Sequence, residues 1–114
     1  MMIKPEISWH DFEKIDMRVG TIVKAQPFEK AKKPAYQIWI DFGELGIKKT
    51  SAQITKRYEF EALIGKQVIA VVNFPPKQIA NFISECLILG VVGDDNDVTL
   101  LTPTDSSKNG LSIA

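Results

Sequence analysis

DMRVGTIVK, residues 16–24, is the stretch that decides the fold of this 114-residue chain. Its apolar and β-branched residues predict a long first strand with Gly20 in the middle. Glycine weakens a strand interior, so it usually marks a bulge, a sharp bend or a close backbone approach. A strand that bends halfway can pair with one neighbour before the bend and with another after it. Small closed β-barrels need such a strand, so we expect this one to begin a barrel.

The remaining strands follow at short intervals. They are predicted at 35–42, 47–54, 68–72, 82–92 and 98–101. A short helix at 55–64, closed by Gly65, interrupts them, and Ser8 with Asp11 can start a helix at 7–16. This pattern predicts an all-β fold with short helices. A five-stranded OB-fold barrel, with an N-terminal helix and a C-terminal extension, is one small closed barrel that fits it. We expect one domain over 1–114, with the helix at 7–16, the barrel at 17–102 and the extension at 103–114.

Alternation is clearest at residues 35–42. Tyr36, Ile38, Ile40 and Phe42 share the face predicted to be core, and Gln37, Trp39 and Asp41 share the other. Trp39 is therefore a large aromatic residue on the polar face. Exposed indole rings are enriched at binding surfaces because they bury much area with few rotatable bonds.

Composition limits the class of protein. Hydrophobic residues make up 45% and charged residues 25% of the chain, which is ordinary for a globular domain. Charges interrupt every apolar run before it is long enough to cross a membrane, and the N-terminus lacks the apolar core of a signal peptide. The single cysteine, Cys86, excludes an internal disulfide framework. These features predict a cytoplasmic protein that does not insert into membranes.

No constellation for catalysis or metal binding is present in the sequence. His10 is the only histidine, and Cys86 has no partner in sequence that would activate it as a nucleophile. The acidic run at 94–97 lacks the alternating ligands and terminal Glu of a helix-loop-helix calcium site. We therefore expect no catalytic residue, no metal site and no cofactor, and a Cys86 that is structural and unreactive.

Charge is unevenly distributed although the net charge is zero. Residues 14–77 hold 12 Lys and Arg against 6 Asp and Glu. One interpretation is a solvated surface with a chance gradient, and the other is a positive face that attracts an anionic partner. The sequence leaves both open, and the three lysines at 30–33 are by themselves typical of a solvated turn.

Several motifs carry a family resemblance. Residues 11–22, DFEKIDMRVGTI, resemble the opening motif of the tRNA-binding OB-fold domain family, which is appended to some methionyl-tRNA synthetases. The stretches at 40–43, 50–54, 72–80 and 82–90 are similar to CsaA, the export-related chaperone branch of that family. On the fifth strand the tRNA-binding branch has SxGM, where this chain has SECL at 84–87.

The resemblance implies a non-catalytic homodimer that binds unfolded or pre-export polypeptides in an apolar groove. The alternative is a tRNA-binding protein that uses a basic face of the same fold. Candidate polypeptide contacts are Phe28, Trp39, Phe74, Pro75 and Pro76. Candidate RNA contacts are Lys30, Lys32, Lys33, Lys48, Lys49, Arg57, Lys77 and Ser84. Apolar residues near both ends, Trp9 and Phe12 together with Leu111 and Ile113, are the expected dimer contacts.

Overall fold

Nine strands and two short helices follow one another along residues 2–114, the part of the chain that this computed structural model describes. The helices are α1 (Trp9–Glu13) and α2 (Phe60–Leu63). The strands are β1 (Met17–Pro27), β2 (Tyr36–Asp41), β3 (Ile47–Ala52), β4 (Gln67–Val71), β5 (Lys77–Ile79), β6 (Phe82–Ser84), β7 (Leu87–Ile88), β8 (Gly90–Val92) and β9 (Val98–Leu100). Neither helix has the length and apolar character needed to span a bilayer.

β1 pairs with two different neighbours, as predicted for the strand that organises the barrel. It pairs with β4 through Met17–Thr21 and with β2 through Thr21–Pro27, both antiparallel. The register shifts between Ile22 and Lys24, so the irregularity lies beyond Gly20. Gly20 serves a close approach instead, because a Cβ there would lie 2.5 Å from Cγ2 of Ile40.

The five-stranded sheet has the order β3-β2-β1-β4-β7 and curls into a nearly closed barrel. The chain at 84–86 brings the open side of β3 close to β7. The Glu85 N–H donates to the Lys49 carbonyl over 2.8 Å, and the Thr50 hydroxyl donates to the Cys86 carbonyl over 2.7 Å. The predicted OB-fold is confirmed.

The core fills the inside of this barrel. Its fully buried side chains include Ile22, Ile38, Ile40, Phe42 and Leu63. The predicted core face of 35–42 is therefore confirmed, and each such side chain stabilises the fold by about 1.5–3 kcal/mol.

The helices are shorter than the sequence suggests. In α1 the predicted capping box is present, since Asp11 N–H donates to Ser8 Oγ and Ser8 N–H donates to Asp11 Oδ2. The prediction of a helix at 55–64 is wrong in its first half, because α2 begins only at Phe60. The Tyr58 carbonyl, just before the helix, instead accepts a hydrogen bond from the Tyr36 hydroxyl over 2.7 Å. Gly65, with φ of 92°, follows the helix as expected.

The single strand predicted at 82–92 is wrong, because this segment forms three short strands with different partners. β6 pairs with β5 in a hairpin, β7 pairs with β4, and β8 pairs with β9. The chain turns away from β4 at Leu89, whose N–H donates to Ile69 while its carbonyl accepts from Leu101. Because each part of the segment pairs with a different strand, the segment bends between these parts and does not form one continuous strand.

The C-terminal segment adds to the free side of β1. The Gly110 N–H donates to Val19, the Val19 N–H donates to Leu111, and the Ile113 N–H donates to Met17, over 2.8 to 3.1 Å. The segment thus occupies the side of β1 at Met17–Val19, beyond the part of β1 that pairs with β2. It brings the C-terminus next to α1 on one end of the barrel.

Candidate functional site

A groove of about 750 Å³ opens on the side of the barrel between β3 and the β8–β9 hairpin. We call it the β3–β8 groove. It is lined by Lys30, Ala31, Lys32, Lys33, Ala35, Ser51, Ala52, Gln53, Ile54, Ile79, Ala80, Leu87, Ile88, Leu89, Gly90, Val92, Val98 and Leu100. Leu87 and Val92 are 48% and 70% exposed, so the groove presents apolar surface to solvent. Uncovered apolar surface in a concave site is typical of a binding site for an apolar ligand.

The fold produces this groove by letting neighbouring strands diverge. β7 pairs with β4 over only two residues, Leu87 and Ile88. β8 then leaves the barrel to pair with β9. Gly90 allows that tight hairpin, because a Cβ there would lie 2.5 Å from Cγ1 of Val98. The side of the groove opposite β8 is formed by the end of β3.

The rim of the groove is positively charged. Lys30, Lys32 and Lys33 come from the β1–β2 loop, and all three are exposed. Within residues 2–114 no Asp or Glu lines the groove beside them. Three cations of one sign around a low-dielectric floor produce a positive potential that attracts negatively charged groups.

A second surface lies on the outer face of β1, β2 and β3. Register places Lys24, Trp39 and Lys49 directly beside one another across these three strands. The Phe82 ring stands edge-on to Trp39, with centroids 5.8 Å apart and planes at 82°. We call these four residues the cation–aromatic row.

Cations already cover both rings of the row. Lys24 Nζ lies 4.5 Å from the Trp39 ring centroid, and Lys49 Nζ lies 5.1 Å from that of Phe82. Such contacts contribute about 0.5–1 kcal/mol each at exposed sites. Aromatic faces next to lysines are also the combination that binds single-stranded nucleic acid, through base stacking and phosphate contacts.

The residues predicted to contact polypeptide lie outside the groove lining. Phe28 is 4% exposed and packs against Phe82 with ring centroids 5.5 Å apart, beneath the row. Trp39 belongs to the row itself. Phe74, 54% exposed, lies with exposed Pro75 and Pro76 in the loop between β4 and β5. The structure therefore brings Phe28 and Trp39 together but leaves the other three at a separate loop.

The residues predicted to contact RNA are spread over several places. Lys30, Lys32 and Lys33 lie on the groove rim and Lys49 in the row, with Lys48 next to it on β3. Lys77 pairs with Ser84 across the β5–β6 hairpin.

Two of the predicted RNA contacts, Arg57 and Ser84, already interact with other side chains of this protein. Arg57 forms an ion pair with Asp97 over 2.8 Å, and this hydrogen bond raises the pKa of the guanidinium. The Ser84 hydroxyl lies 3.0 Å from that of Thr50. These interactions would have to be exchanged for contacts with RNA.

Sequence reasoning missed the apolar floor of the groove. Leu87, Leu89, Val92, Val98 and Leu100 had been assigned only to strands. The available signal was that residues 82–92 are apolar on both faces. A barrel strand needs only one apolar face, so the second one indicates a surface that something else covers.

Cys86 lies beneath the groove in the core. Burial raises the pKa of its thiol to about 12, with a further contribution from the nearby Glu85 charge. Within residues 2–114 no group of three or more His, Cys, Asp or Glu side chains is placed to hold a metal ion.

Comparisons with known proteins match this fold. A family model described as "Putative tRNA binding domain" matches residues 17–112. The methionine–tRNA ligase of Chlorobium chlorochromatii is 36% identical over 110 residues, which cover 96% of this chain and 15% of the ligase. That of Leptospira interrogans is 38% identical over 105 residues, covering 92% of this chain and 14% of the ligase. The chain thus spans about 15% of the length of these curated relatives.

Solved structures give a second set of similar proteins. The chaperone CsaA from Bacillus anthracis is 51% identical with a TM-score of 0.93, covering 96% of this chain and 100% of that one. The CsaA chaperone protein from Picrophilus torridus is 54% identical with a TM-score of 0.89 and the same coverage. A MetRS related protein from Pyrococcus horikoshii is 25% identical with a TM-score of 0.86, covering 97% of this chain and 100% of that one.

Proposed function

This chain belongs to the tRNA-binding domain family and to its CsaA branch, and on that premise we propose that it is a non-catalytic molecular chaperone. It binds unfolded or pre-export polypeptides in the cytoplasm, as a homodimer. The observation that carries this proposal is the apolar, solvent-facing floor of the β3–β8 groove.

The groove suits an unfolded polypeptide because such chains expose apolar side chains without a fixed shape. Each aliphatic side chain that moves from water into the groove contributes about 1.5–3 kcal/mol before ordering costs. The floor is aliphatic, with Leu, Ile and Val side chains, and the polar side chains of Ser51 and Gln53 lie on the β3 side of the groove. Binding of many different sequences follows from such a floor.

The homodimer is supported by exposed apolar residues at one end of the barrel. Trp9 is 85% exposed, Ile15 44% and Leu111 53%. Trp9, Phe12, Ile15 and Ile113 border one surface depression of about 690 Å³. A second copy of the chain can cover this patch in a two-fold arrangement. Sedimentation equilibrium at micromolar concentration is expected to show a dimer, and Trp9→Ala is expected to shift it toward monomer; a wild-type monomer would contradict the assignment.

The second candidate function is tRNA binding, and the cation–aromatic row favours it. Lys24 and Lys49 can contact phosphates while the half-buried Trp39 offers ring surface to unpaired bases, and the buried Phe82 ring supports Trp39 edge-on. Exposed Lys77 can extend the basic track. The two candidates therefore use different surfaces of one barrel.

A titration with two probes tests the proposal. Reduced, carboxymethylated α-lactalbumin serves as a permanently unfolded polypeptide, and unmodified tRNA serves as the competing ligand. We expect salt to weaken polypeptide binding much less than tRNA binding, because apolar burial carries most of the polypeptide affinity whereas tRNA binding releases counterions. Salt-steep tRNA binding without polypeptide binding would assign the function to the second candidate.

A matched pair of variants locates the polypeptide site. Val92 lines the groove, whereas its neighbour Val91 does not, and they are 70% and 57% exposed. Val92→Ser should weaken polypeptide binding by about 1 kcal/mol, roughly fivefold, because it removes apolar contact area. Val91→Ser is the control and should bind as the wild type does. Equal effects of both changes would place the site elsewhere.

A further inference from the structure

In β3 the backbone N–H and C=O groups of every second residue point away from β2, toward the groove side. The Lys49 carbonyl accepts from Glu85 N–H over 2.8 Å, and the Lys49 N–H donates to the Glu85 carboxylate over 3.0 Å. Both contacts lie on the side of β3 away from β2. Antiparallel pairing alternates the direction of backbone groups, so Ser51 and exposed Gln53 direct theirs the same way. The Ser51 N–H already donates to the Ser84 hydroxyl over 3.4 Å and its carbonyl accepts from the Thr50 hydroxyl over 3.3 Å, so on this wall it is the backbone of Gln53 that a ligand can use. Both residues line the groove.

The backbone of β8 does the same from the opposite wall. The Leu89 carbonyl accepts from Leu101 N–H over 3.2 Å, and the Gly93 N–H donates to Asp97 over 3.0 Å. Positions 89 and 93 therefore face β9. By the same alternation Gly90 and Val92 direct their N–H and C=O groups away from β9, and both line the groove.

Two strand edges thus border an apolar floor whose rim is cationic. We infer that polypeptide enters the β3–β8 groove as an extended strand that hydrogen-bonds to the backbone at Gln53 and at Gly90–Val92, and that segments carrying acidic residues beside apolar ones are preferred. This inference rests on the proposed function and specifies its substrate class. Strand addition of this kind takes its affinity from main-chain hydrogen bonds and its selectivity from alternate side chains.

Backbone recognition fits a ligand without a fixed sequence. Every polypeptide offers the same N–H and C=O groups, so two strand edges can bind segments that share only an apolar side. In an extended segment alternate side chains point to opposite faces, so one set contacts Leu87 and Leu89 on the floor while the other faces solvent.

Charge complementarity sets the preference among such segments. Lys30, Lys32 and Lys33 are exposed on the rim, and within the described residues 2–114 the groove lining offers no carboxylate to pair with them. Carboxylates at the ends of an apolar segment can reach these lysines. Basic segments meet repulsion at the same rim.

The test uses a short blocked peptide in which valines alternate with serines and an aspartate stands at each end. In one derivative an ester replaces the central amide, which removes one N–H donor without changing a side chain. In the control derivative the ester replaces the terminal amide. We expect the central ester to weaken binding about tenfold and the terminal ester less than about twofold. Isotope-edited infrared spectra of a labelled central carbonyl should show extended backbone in the bound peptide.

A second arm tests the charge preference. Replacing both aspartates of the peptide by lysines should weaken binding about fivefold at low salt. The Lys32→Glu/Lys33→Glu double variant should reverse that order, and circular dichroism checks that it is folded. If both peptides bind equally to both proteins, the charge preference is wrong.

The outcomes separate the inference from the function on which it rests. Failure of both the unmodified peptide and carboxymethylated α-lactalbumin to bind would overturn the proposed function. Normal binding of the central-ester peptide, or a helical carbonyl band in the bound state, would overturn strand addition alone.

Discussion

In the β3–β8 groove apolar side chains face solvent, whereas in the cation–aromatic row the large rings are already packed. Val92 in the groove is 70% exposed. Trp39 in the row is only half-buried by its strand, yet it contacts Phe82 edge-on and lies under Lys24. The groove can therefore gain much apolar burial from a ligand, and the row can gain mainly electrostatic and stacking contacts. One small barrel thus offers two surfaces of different chemistry.

The largest expected effect is on the groove. Leu87→Asp places a charge on the apolar floor, and we expect unfolded polypeptide to bind about 3 kcal/mol more weakly because the carboxylate loses water on binding. Leu45, in the turn between β2 and β3, is similarly exposed at 45% against 48%, so Leu45→Asp is the matched control. Titration with carboxymethylated α-lactalbumin measures both. An intact affinity in folded Leu87→Asp would remove the distinction between the two surfaces.

The next effect concerns the row. Trp39→Ala removes the largest ring of that surface, and we expect tRNA affinity to fall by about 2 kcal/mol while polypeptide affinity stays unchanged. Because Trp39 also packs on Phe82, thermal unfolding of the variant must be followed in parallel. Loss of polypeptide binding in a folded Trp39→Ala protein would show that the polypeptide contacts the row, as the sequence alone suggested.

A smaller effect is expected on the salt dependence of tRNA binding, and it distinguishes the lysines of the row from those of the groove rim. Each phosphate contact to a single strand contributes about 0.7 to the slope of log affinity against log salt. Lys24→Gln/Lys49→Gln should lower the slope for tRNA by about 1.4, whereas Lys32→Gln/Lys33→Gln removes the same charge and should leave it nearly unchanged. The reverse result would assign the RNA contacts to the groove rim.

The smallest effect is expected at Cys86, in the barrel core. Because burial raises the pKa of its thiol from 9.0 to about 12, the thiol stays protonated at neutral and mildly alkaline pH. A disulfide reagent should therefore modify it only as fast as the protein unfolds. The stability gained from keeping this thiol neutral is fully present below about pH 9 and is lost as pH rises toward 12. Rapid modification of the native protein would contradict this.

Cys86→Ala gives the matching control for ligand binding. The side chain contacts the core, and its backbone carbonyl, which the substitution retains, accepts the Thr50 hydroxyl. We expect the affinities for both ligands to remain within about twofold of the wild type. A change confined to one ligand would connect Cys86 to that surface.

The barrel could be predicted because its signals are local. Alternation at 36–42 assigned the core face, and Ser8 with Asp11 located the first helix. The β5–β6 hairpin and the division of 82–92 could not be predicted, because they depend on which partner each short segment meets. Leu89, for example, bonds to Ile69 and Leu101 at once.

The sequence predicted the kinds of residue that form the candidate sites better than it predicted where those residues lie. Lysines and exposed aromatic residues were recognised as candidate contacts, but sequence does not tell which of them share a surface. Trp39 was grouped with Phe74, yet the register places it between Lys24 and Lys49. The groove depends on β8 leaving the barrel, which no single residue type signals.

The central claim is that unfolded polypeptide contacts the β3–β8 groove, and backbone amide shifts report this most directly. Unlabelled carboxymethylated α-lactalbumin is titrated into isotope-labelled protein while the amides of both surfaces are followed. We predict shifts at Gln53, Gly90 and Val92 and none beyond noise at Lys24, Trp39 and Lys49. Shifts confined to Lys24, Trp39 and Lys49 would contradict the account.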